Sequence, residues 1–206
     1  MSHATTQKVV KTKAHILAAA RRTLVEHGFA GLSTRRVAQI ADAPMSQIQY
    51  HFGSKEGMLV ALFEDMNAAL LERQGRLFDD PDLTLAEQWD VACDFLEDDL
   101  NSGYVQILQE LIAAGWSNPA IRAKLVEGLD GWSRLLAVAV RRAERRLGSF
   151  SPLSADDVAA LIGAAFLGAE GQILLGREDR LQQRRALRRI GDVIRRLEHN
   201  ASGGKS

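Results

Sequence analysis

STRRVAQIADAPMSQIQYHFGSKE, residues 33–56, decides how this chain is read. Ser33 is a natural N-cap, because its hydroxyl can accept from a free N–H of a helix's first turn. Val37, Ala38 and Ala41 follow at spacing that turns one face inward. This helix is short and ends near Ala41. Asp42-Ala43-Pro44 makes a turn, and Pro44 suits the first position of the next helix, where its missing N–H costs nothing. That helix runs from Met45 to His51, with Ile48 and Phe52 as i,i+4 anchors to a core. Ser46, Gln47, Gln49, Tyr50 and His51 are left as a polar, hydrogen-bonding outer surface. Two short helices joined by a tight turn form a helix-turn-helix pattern.

Upstream, a helix is expected from Thr12, with Ile16, Leu17, Ala20, Leu24 and Val25 on one face. Gly28 stands where a left-handed residue would end it. Phe29 and Leu32 then act as core plugs around Ala30-Gly31. Residues 1–11 are polar and without periodicity, and are expected to form a mobile arm. Downstream, Ser54 caps a fourth helix whose apolar stripe is Met58, Leu59, Leu62, Phe63, Met66 and Leu70. Its N-terminus offers free N–H groups, the positive dipole end and Lys55, which together suit a phosphate.

The chain has 206 residues and a formal net charge of zero. The charge is uneven. Residues 1–55 hold eight basic and two acidic residues, and the remainder holds 18 basic and 24 acidic. A basic head on an acidic body suggests a polyanion-binding module joined to a different kind of domain. Hydrophobic content of 46% with 25% charged residues is ordinary for a globular chain. The single cysteine, Cys93, excludes an internal disulfide and a thiolate zinc site. A reducing, cytoplasmic setting is expected. No apolar run approaches the ~18 residues that span a bilayer, so no membrane association is expected. Alternating β patterns are scarce, which favours an all-α fold.

A helix on a basic module fits the major groove, where base edges present a distinct donor and acceptor code. Gln47 and Gln49 can pair with adenine in two-point fashion. Tyr50 and His51 can bond phosphates or pack on thymine methyls. Ser33, Thr34, Arg35 and Arg36, early in the second helix, and Lys55 can hold the backbone, which sets register without reading sequence. Pro44, Met45 and Ser46 complete the candidate DNA-binding set at the start of the recognition helix. Arg21 and Arg22 read as a solvated helix face, and His15 and His27 as surface histidines.

The acidic body reads as further helices. Asp79-Asp80-Pro81-Asp82 is a break, after which Thr84 caps a helix with Leu85, Trp89, Ala92, Cys93 and Leu96 inside. Asn101-Ser102-Gly103 stops it, and Tyr104 to Gly115 forms the next. Ser117-Asn118-Pro119 opens a long helix through Val140, with Arg141, Arg142, Arg145 and Arg146 near its C-terminus, where cations suit the dipole. Ser154 with Asp157 makes a short capping box for a helix rich in glycine and alanine. Each such glycine costs ~1 kcal/mol of helix propensity, offset by close helix–helix approach. The last helix carries Leu187, Ile190, Ile194 and Leu197 as a heptad-like seam beneath an arginine-rich face taken as solvated. Residues 200–206 are expected to be a disordered tail.

Residues 12–66 resemble the N-terminal domain of the tetracycline-repressor-like (TetR) family of regulators. The resemblance rests on Ile16-Leu17-Ala18-Ala19-Ala20, Gly28-Phe29, Ser33-Thr34 with Val37-Ala38, and above all Tyr50-His51-Phe52-Gly53-Ser54-Lys55-Glu56. It departs from the family at Asp42-Ala43-Pro44, where a Gly-Val-Ser opening is common, and at Gln49, where tyrosine is usual. The resemblance implies an all-helical homodimer of about nine helices per chain, with an N-terminal three-helix helix-turn-helix domain (residues 1–55) and a larger C-terminal effector-binding and dimerisation domain (residues 56–199). It assigns the last two helices to a four-helix interface with a second copy, through Val158, Leu161, Ile162, Ala165, Gly168, Ala169, Leu187, Ile190, Ile194 and Leu197.

Met66, Trp89, Cys93, Phe95, Tyr104, Leu108, Trp116, Trp132 and Phe166 are candidate lining residues of a small-molecule pocket, since such sites are largely aromatic and apolar. Taken singly, each reads more readily as plain core. An apolar effector is expected from that lining. No metal-ligand cluster, nucleophile elbow or phosphate loop is visible, so no enzyme activity, metal or cofactor is expected. The expected function is a ligand-responsive regulator, a repressor that releases a pseudo-palindromic double-stranded operator on binding a small molecule. The alternative is a helical DNA-binding, architectural or interaction protein with no sequence preference and no effector.

Overall fold

A computed structural model describes residues 3–176 and 180–203. The described residues form nine α-helices and no strand: α1 (His3–Gly31), α2 (Thr34–Ile40), α3 (Met45–Phe52), α4 (Lys55–Asp79), α5 (Leu85–Asn101), α6 (Tyr104–Gly115), α7 (Pro119–Leu147), α8 (Ala155–Leu174) and α9 (Arg180–Gly203). The all-α reading is borne out, and the expected helix boundaries recur to within a residue or two over most of the chain.

The helix starts follow their capping chemistry. Ser33 Oγ accepts from the amide of Arg36 at 3.2 Å, and Ser54 Oγ from that of Gly57 at 3.0 Å. Thr84 and Glu87 bond reciprocally, Thr84 N to the carboxylate at 2.8 Å and Glu87 N to the hydroxyl at 3.2 Å. Asn118 Oδ1 accepts from Ala120 and Ile121 at the head of α7. Ser154 and Asp157 form the expected capping box. The Ser154 hydroxyl and amide hold the Asp157 carboxyl below its ordinary value.

Several expectations need correction. The chain is already helical at His3, so residues 3–11 extend α1 and are not a separate arm. Polar sequence without periodicity is compatible with a helix that has no face to bury. Gly28 does leave the helical conformation, at φ 65°, as expected, and one further turn follows this kink to Gly31. Val25 is 56% exposed and lies off the buried face. Pro44 is the N-cap of α3, one position earlier than expected. The tail is helical through Gly203, and residues 204–206 lie outside the described residues. Finally, α8 is by length and composition apolar enough to cross a membrane, with a mean hydropathy of 1.4. Asp156, Asp157, Glu170 and Gln172 interrupt its apolar residues, so no single uninterrupted run approaches that length.

The chain falls into two compact units. The first comprises residues 3–68 and 99–126, and the second residues 69–98 and 127–203 without the three undescribed positions. In the first, Ile16, Leu32, Val37, Ile48, Met58, Leu62, Phe63 and Ile107 are fully buried. The Tyr104 hydroxyl donates to Asn67 Oδ1 at 2.8 Å, and its ring stacks on Phe63 at 5.9 Å. Gly103, at φ 79°, is required by space as well as by conformation, since a Cβ there would lie 2.5 Å from the Leu24 side chain.

In the second unit, Leu136, Val140, Ala155 and Ala159 form a buried cluster. An α5–α9 seam runs beside it. Arg184 grips Glu97 with two bonds, Nε to Oε1 at 2.5 Å and Nη2 to Oε2 at 3.0 Å. Arg188 pairs with Asp94 at 2.5 Å and Arg195 with Asp90 at 2.9 Å. Glu198 accepts from the amides of Leu85 and Ala86 and so caps α5 from a distance. Arg184, Arg188 and Arg195 thus pair with α5, while Arg185, Arg188, Arg189, Arg195 and Arg196 all stay exposed, as expected of a mostly solvated face. Leu187 is buried, and its carbonyl receives the Trp89 indole N–H at 2.7 Å.

Candidate nucleic-acid interface and effector cavity

Within the first unit, α2 and α3 pack together through Val37, Ala38, Ile48 and Phe52, all buried. The backbone between them turns at Asp42, whose φ of 47° is unusual for a residue other than glycine. Aspartate tolerates that region better than most. Burial of Ile48 and Phe52 on one side of α3 forces the intervening side chains outward. Met45, Ser46, Gln47 and Gln49 are exposed, and Tyr50 is 70% exposed. His51 is half-buried and meets the Tyr50 ring edge-on at 5.1 Å.

The flanking candidates share that accessibility. Ser33, Arg35, Arg36 and Pro44 are exposed, and Thr34 and Lys55 half-buried. Arg36 donates to Gly31 O at 3.3 Å, which leaves part of its guanidinium for another acceptor. Lys55 Nζ lies 5.1 Å over the Phe29 ring at the start of α4. Stacking on an aromatic face orients the ammonium without neutralising it.

Sequence reasoning missed two groups that hold this arrangement. His15 Nε2 bonds Ala41 O at 2.8 Å and Arg22 Nη2 donates to Ile40 O at 3.3 Å. Both satisfy carbonyls at the C-terminus of α2, where donors and positive charge are favoured. Their partners are 26 and 18 residues away, so no local pattern announces them. Gly57 is the other: a Cβ there would lie 2.0 Å from Phe52 O, so only glycine lets α4 start so close to the end of α3. A cleft of about 740 Å³ separates Lys11 and His15 of α1 from Asp42 and Gln47.

The expected pocket residues do not share one environment. Met66, Tyr104, Leu108 and Trp116 belong to the first unit, and Trp89, Cys93, Phe95, Trp132 and Phe166 to the second. Trp116 is 78% exposed and encloses nothing within the chain. Trp89 and Trp132 both meet Phe166 edge-on, at 5.6 and 6.2 Å. Trp132 Nε1 donates to Gln74 Oε1 at 2.8 Å, and Phe95 carries the Arg73 guanidinium at 4.1 Å. These contacts give the aromatic residues structural partners.

The second unit does contain an apolar cavity of about 280 Å³, bordered by Trp89, Leu136, Ala143, Phe150, Ile162 and Ile194 among others. Of the expected lining residues, Trp89 alone borders it. Val158, Ile162, Ile190, Ile194 and Leu197, assigned by resemblance to a dimer interface, also border it; Val158, Ile162 and Ile194 are half-buried there, whereas Ile190 and Leu197 remain 38% and 44% exposed. Leu161, Ala164, Ala165 and Gly168 instead form an exposed stripe on α8.

Residues 16–62 match the model of the bacterial regulatory proteins, tetR family. An HTH-type transcriptional repressor, AcnR of Corynebacterium efficiens, is 31% identical over 126 residues, 60% of this chain and 61% of that protein. The N-terminal part of the chain is thus similar to the tetR family. The chain spans about three fifths of the length of that curated relative. Solved structures of regulators superpose over most of the chain. The regulator FadR from Bacillus subtilis, in complex with stearoyl-CoA, has a TM-score of 0.67 at 19% identity, covering 86% of this chain and 96% of that one. A regulator from Saccharomonospora viridis, in complex with choline, has a TM-score of 0.70 at 20% identity, covering 86% and 94%. These likenesses establish a shared fold for the body as well as the head.

Proposed function

We propose that this chain is a cytoplasmic, ligand-responsive transcriptional repressor that binds a pseudo-palindromic DNA operator as a homodimer. The observation that carries the reading is the solvent-facing side of α3: burial of Ile48 and Phe52 leaves Gln47, Gln49 and Tyr50 accessible together, next to Lys55. The repressor named among its relatives supports the same reading.

The roles follow from chemistry. Gln47 and Gln49 read base edges in the major groove, with Met45 and Ser46 beside them. Ser33, Thr34, Arg35, Arg36, Tyr50, His51 and Lys55 hold phosphates and set register, and Pro44 fixes how α3 begins. Residues 1–55 form the DNA-binding domain and residues 56–199 the effector-binding and dimerisation domain. The exposed stripe Leu161, Ala165 and Gly168 of α8 supports pairing with a second copy, since small residues permit close approach. Two recognition helices related by a two-fold axis then read half-sites about one helical turn (~34 Å) or a multiple apart. An effector that binds the body better in its DNA-free state weakens DNA binding, and DNA weakens effector binding by the same factor.

Selection of random duplex DNA by the purified protein tests this. Enrichment of a two-fold symmetric sequence is expected. Binding without any enriched sequence would leave a polyanion binder without sequence preference.

A further inference from the structure

We infer that the effector is a neutral, apolar molecule of about a dozen heavy atoms, held in the cavity bordered by Trp89, Ala139, Ala143, Phe150, Ile162 and Ile194. This rests on the ligand-responsive reading above and adds the place and the chemical class.

Size comes first. The cavity measures about 280 Å³ and opens to solvent beside Ile190, Val193 and Leu197 of α9, which are 38%, 54% and 44% exposed. A cavity of ~150 Å³ lined by apolar side chains stays dry and takes one benzene, six carbons, so this one takes about twice that. A water-filled alternative is disfavoured, because a buried water needs two to four polar partners. Gln88 is the one polar residue on the wall, and its amide already donates to Asp80 O at 3.0 Å.

Charge comes second. A smaller cavity of about 150 Å³ adjoins the first and shares Phe78, Leu85, Gln88 and Ala139 with it. Arg142 borders this polar side, but it donates to Phe78 O at 2.7 Å and pairs with Asp79 at 2.6 Å. Arg146 and Asp80 add one charge of each sign to the same rim. A ligand charge of either sign would thus meet both an attracting and a repelling group at the rim, and inside the apolar wall it would find no partner for its lost hydration, which is strongly unfavourable. A single hydroxyl can stay at the polar rim while the apolar body fills the larger space. Binding here reaches α4 at Phe78, α5 at Trp89, α7 at Ala143, α8 at Ile162 and α9 at Ile194, so an occupant bears on every helix of this unit.

The test uses the full-length protein, 1-decanol as the neutral probe and decanoate as its charged counterpart, at pH 7.5. Saturable binding of one decanol per chain is expected, with decanoate at least tenfold weaker. Ala143→Phe and Ala139→Phe, each filling the cavity, are expected to weaken decanol at least tenfold. Thermal unfolding identifies the folded variant. Trp89→Phe provides a measurement independent of filling: decanol is expected to change tryptophan fluorescence in the parent chain and far less in this variant. No saturable decanol binding, decanoate binding as tight as decanol, or a folded filled variant that binds normally would each overturn the inference. Decanol that binds in the cavity yet leaves affinity for the selected DNA unchanged would uphold the site and defeat the ligand-responsive reading. Release of that DNA by another compound, undiminished in a folded Ala143→Phe chain, would do the reverse.

Discussion

Lys55 is where residue chemistry bears most directly on DNA. Its ammonium is held over Phe29 at the N-terminus of α4, the end of a helix whose dipole favours an anion. Lys55→Ala is expected to weaken binding to all duplexes by a similar factor and to lower the salt dependence of log K by about one counterion, measured by fluorescence anisotropy across a salt series. Loss confined to one sequence would contradict a phosphate role. Cys93 makes a different prediction. It is 4% exposed, and burial pushes its thiol up to about 11. The thiol therefore stays protonated through neutral pH. Because the folded value lies above the ordinary 9.0, its contribution to stability is complete below that pH and is lost as pH rises through about 11. Folded protein at pH 7.5 is expected to react with a disulfide reagent only on the timescale of unfolding. Rapid labelling of the native chain would contradict this burial.

At the scale of elements, the α5–α9 seam divides its own energetics. The Arg184–Glu97 pair is bidentate, with side chains 26% and 37% exposed, whereas Arg195 and Asp90 stand at 54% and 38%. Arg184→Ala is expected to cost about 1.5–3 kcal/mol as a charged hydrogen-bond pair is broken. Arg195→Ala is expected to cost under about 1 kcal/mol, as exposed ion pairs do. Urea unfolding of the two variants measures the difference, and equal losses would contradict it. The helix-turn-helix was legible in sequence because its determinants are local: the Ser33 cap, the Pro44 start and the Ile48–Phe52 spacing lie within one or two turns of what they control. The direction of α9 was not. A stripe of Leu187, Ile190, Ile194 and Leu197 has the same spacing whether it meets α5 in its own chain or a helix of another. Its long-range partners, Trp89 and Asp90, decide the matter. The aromatic residues of the body misled for a related reason. Helical spacing shows that Trp89, Trp132 and Phe166 point inward, but not that Trp116, at the end of α6, points out.

For the whole molecule, the uneven charge and the open stripe on α8 belong together. A basic head on each of two copies doubles the phosphate contacts available, provided the bodies pair. Leu161 is 59% exposed in the single chain. Leu161→Glu is expected to give a monomer in sedimentation velocity, with its thermal stability little changed and its preference for a two-fold symmetric site lost. A dimer that survives this change would place the interface elsewhere.

The central claim is that α3 reads sequence and does not merely hold phosphate. The most direct measurement is the ratio of affinities for the selected duplex and for a scrambled one of equal length, at ~150 mM salt, for the parent chain and Gln49→Ala. A ratio of about 10³ or more is expected for the parent. Gln49→Ala is expected to lower it by about five- to a hundredfold through one base pair, with scrambled-duplex affinity unchanged. A parent ratio near one, or a variant that loses both affinities equally, would contradict the account.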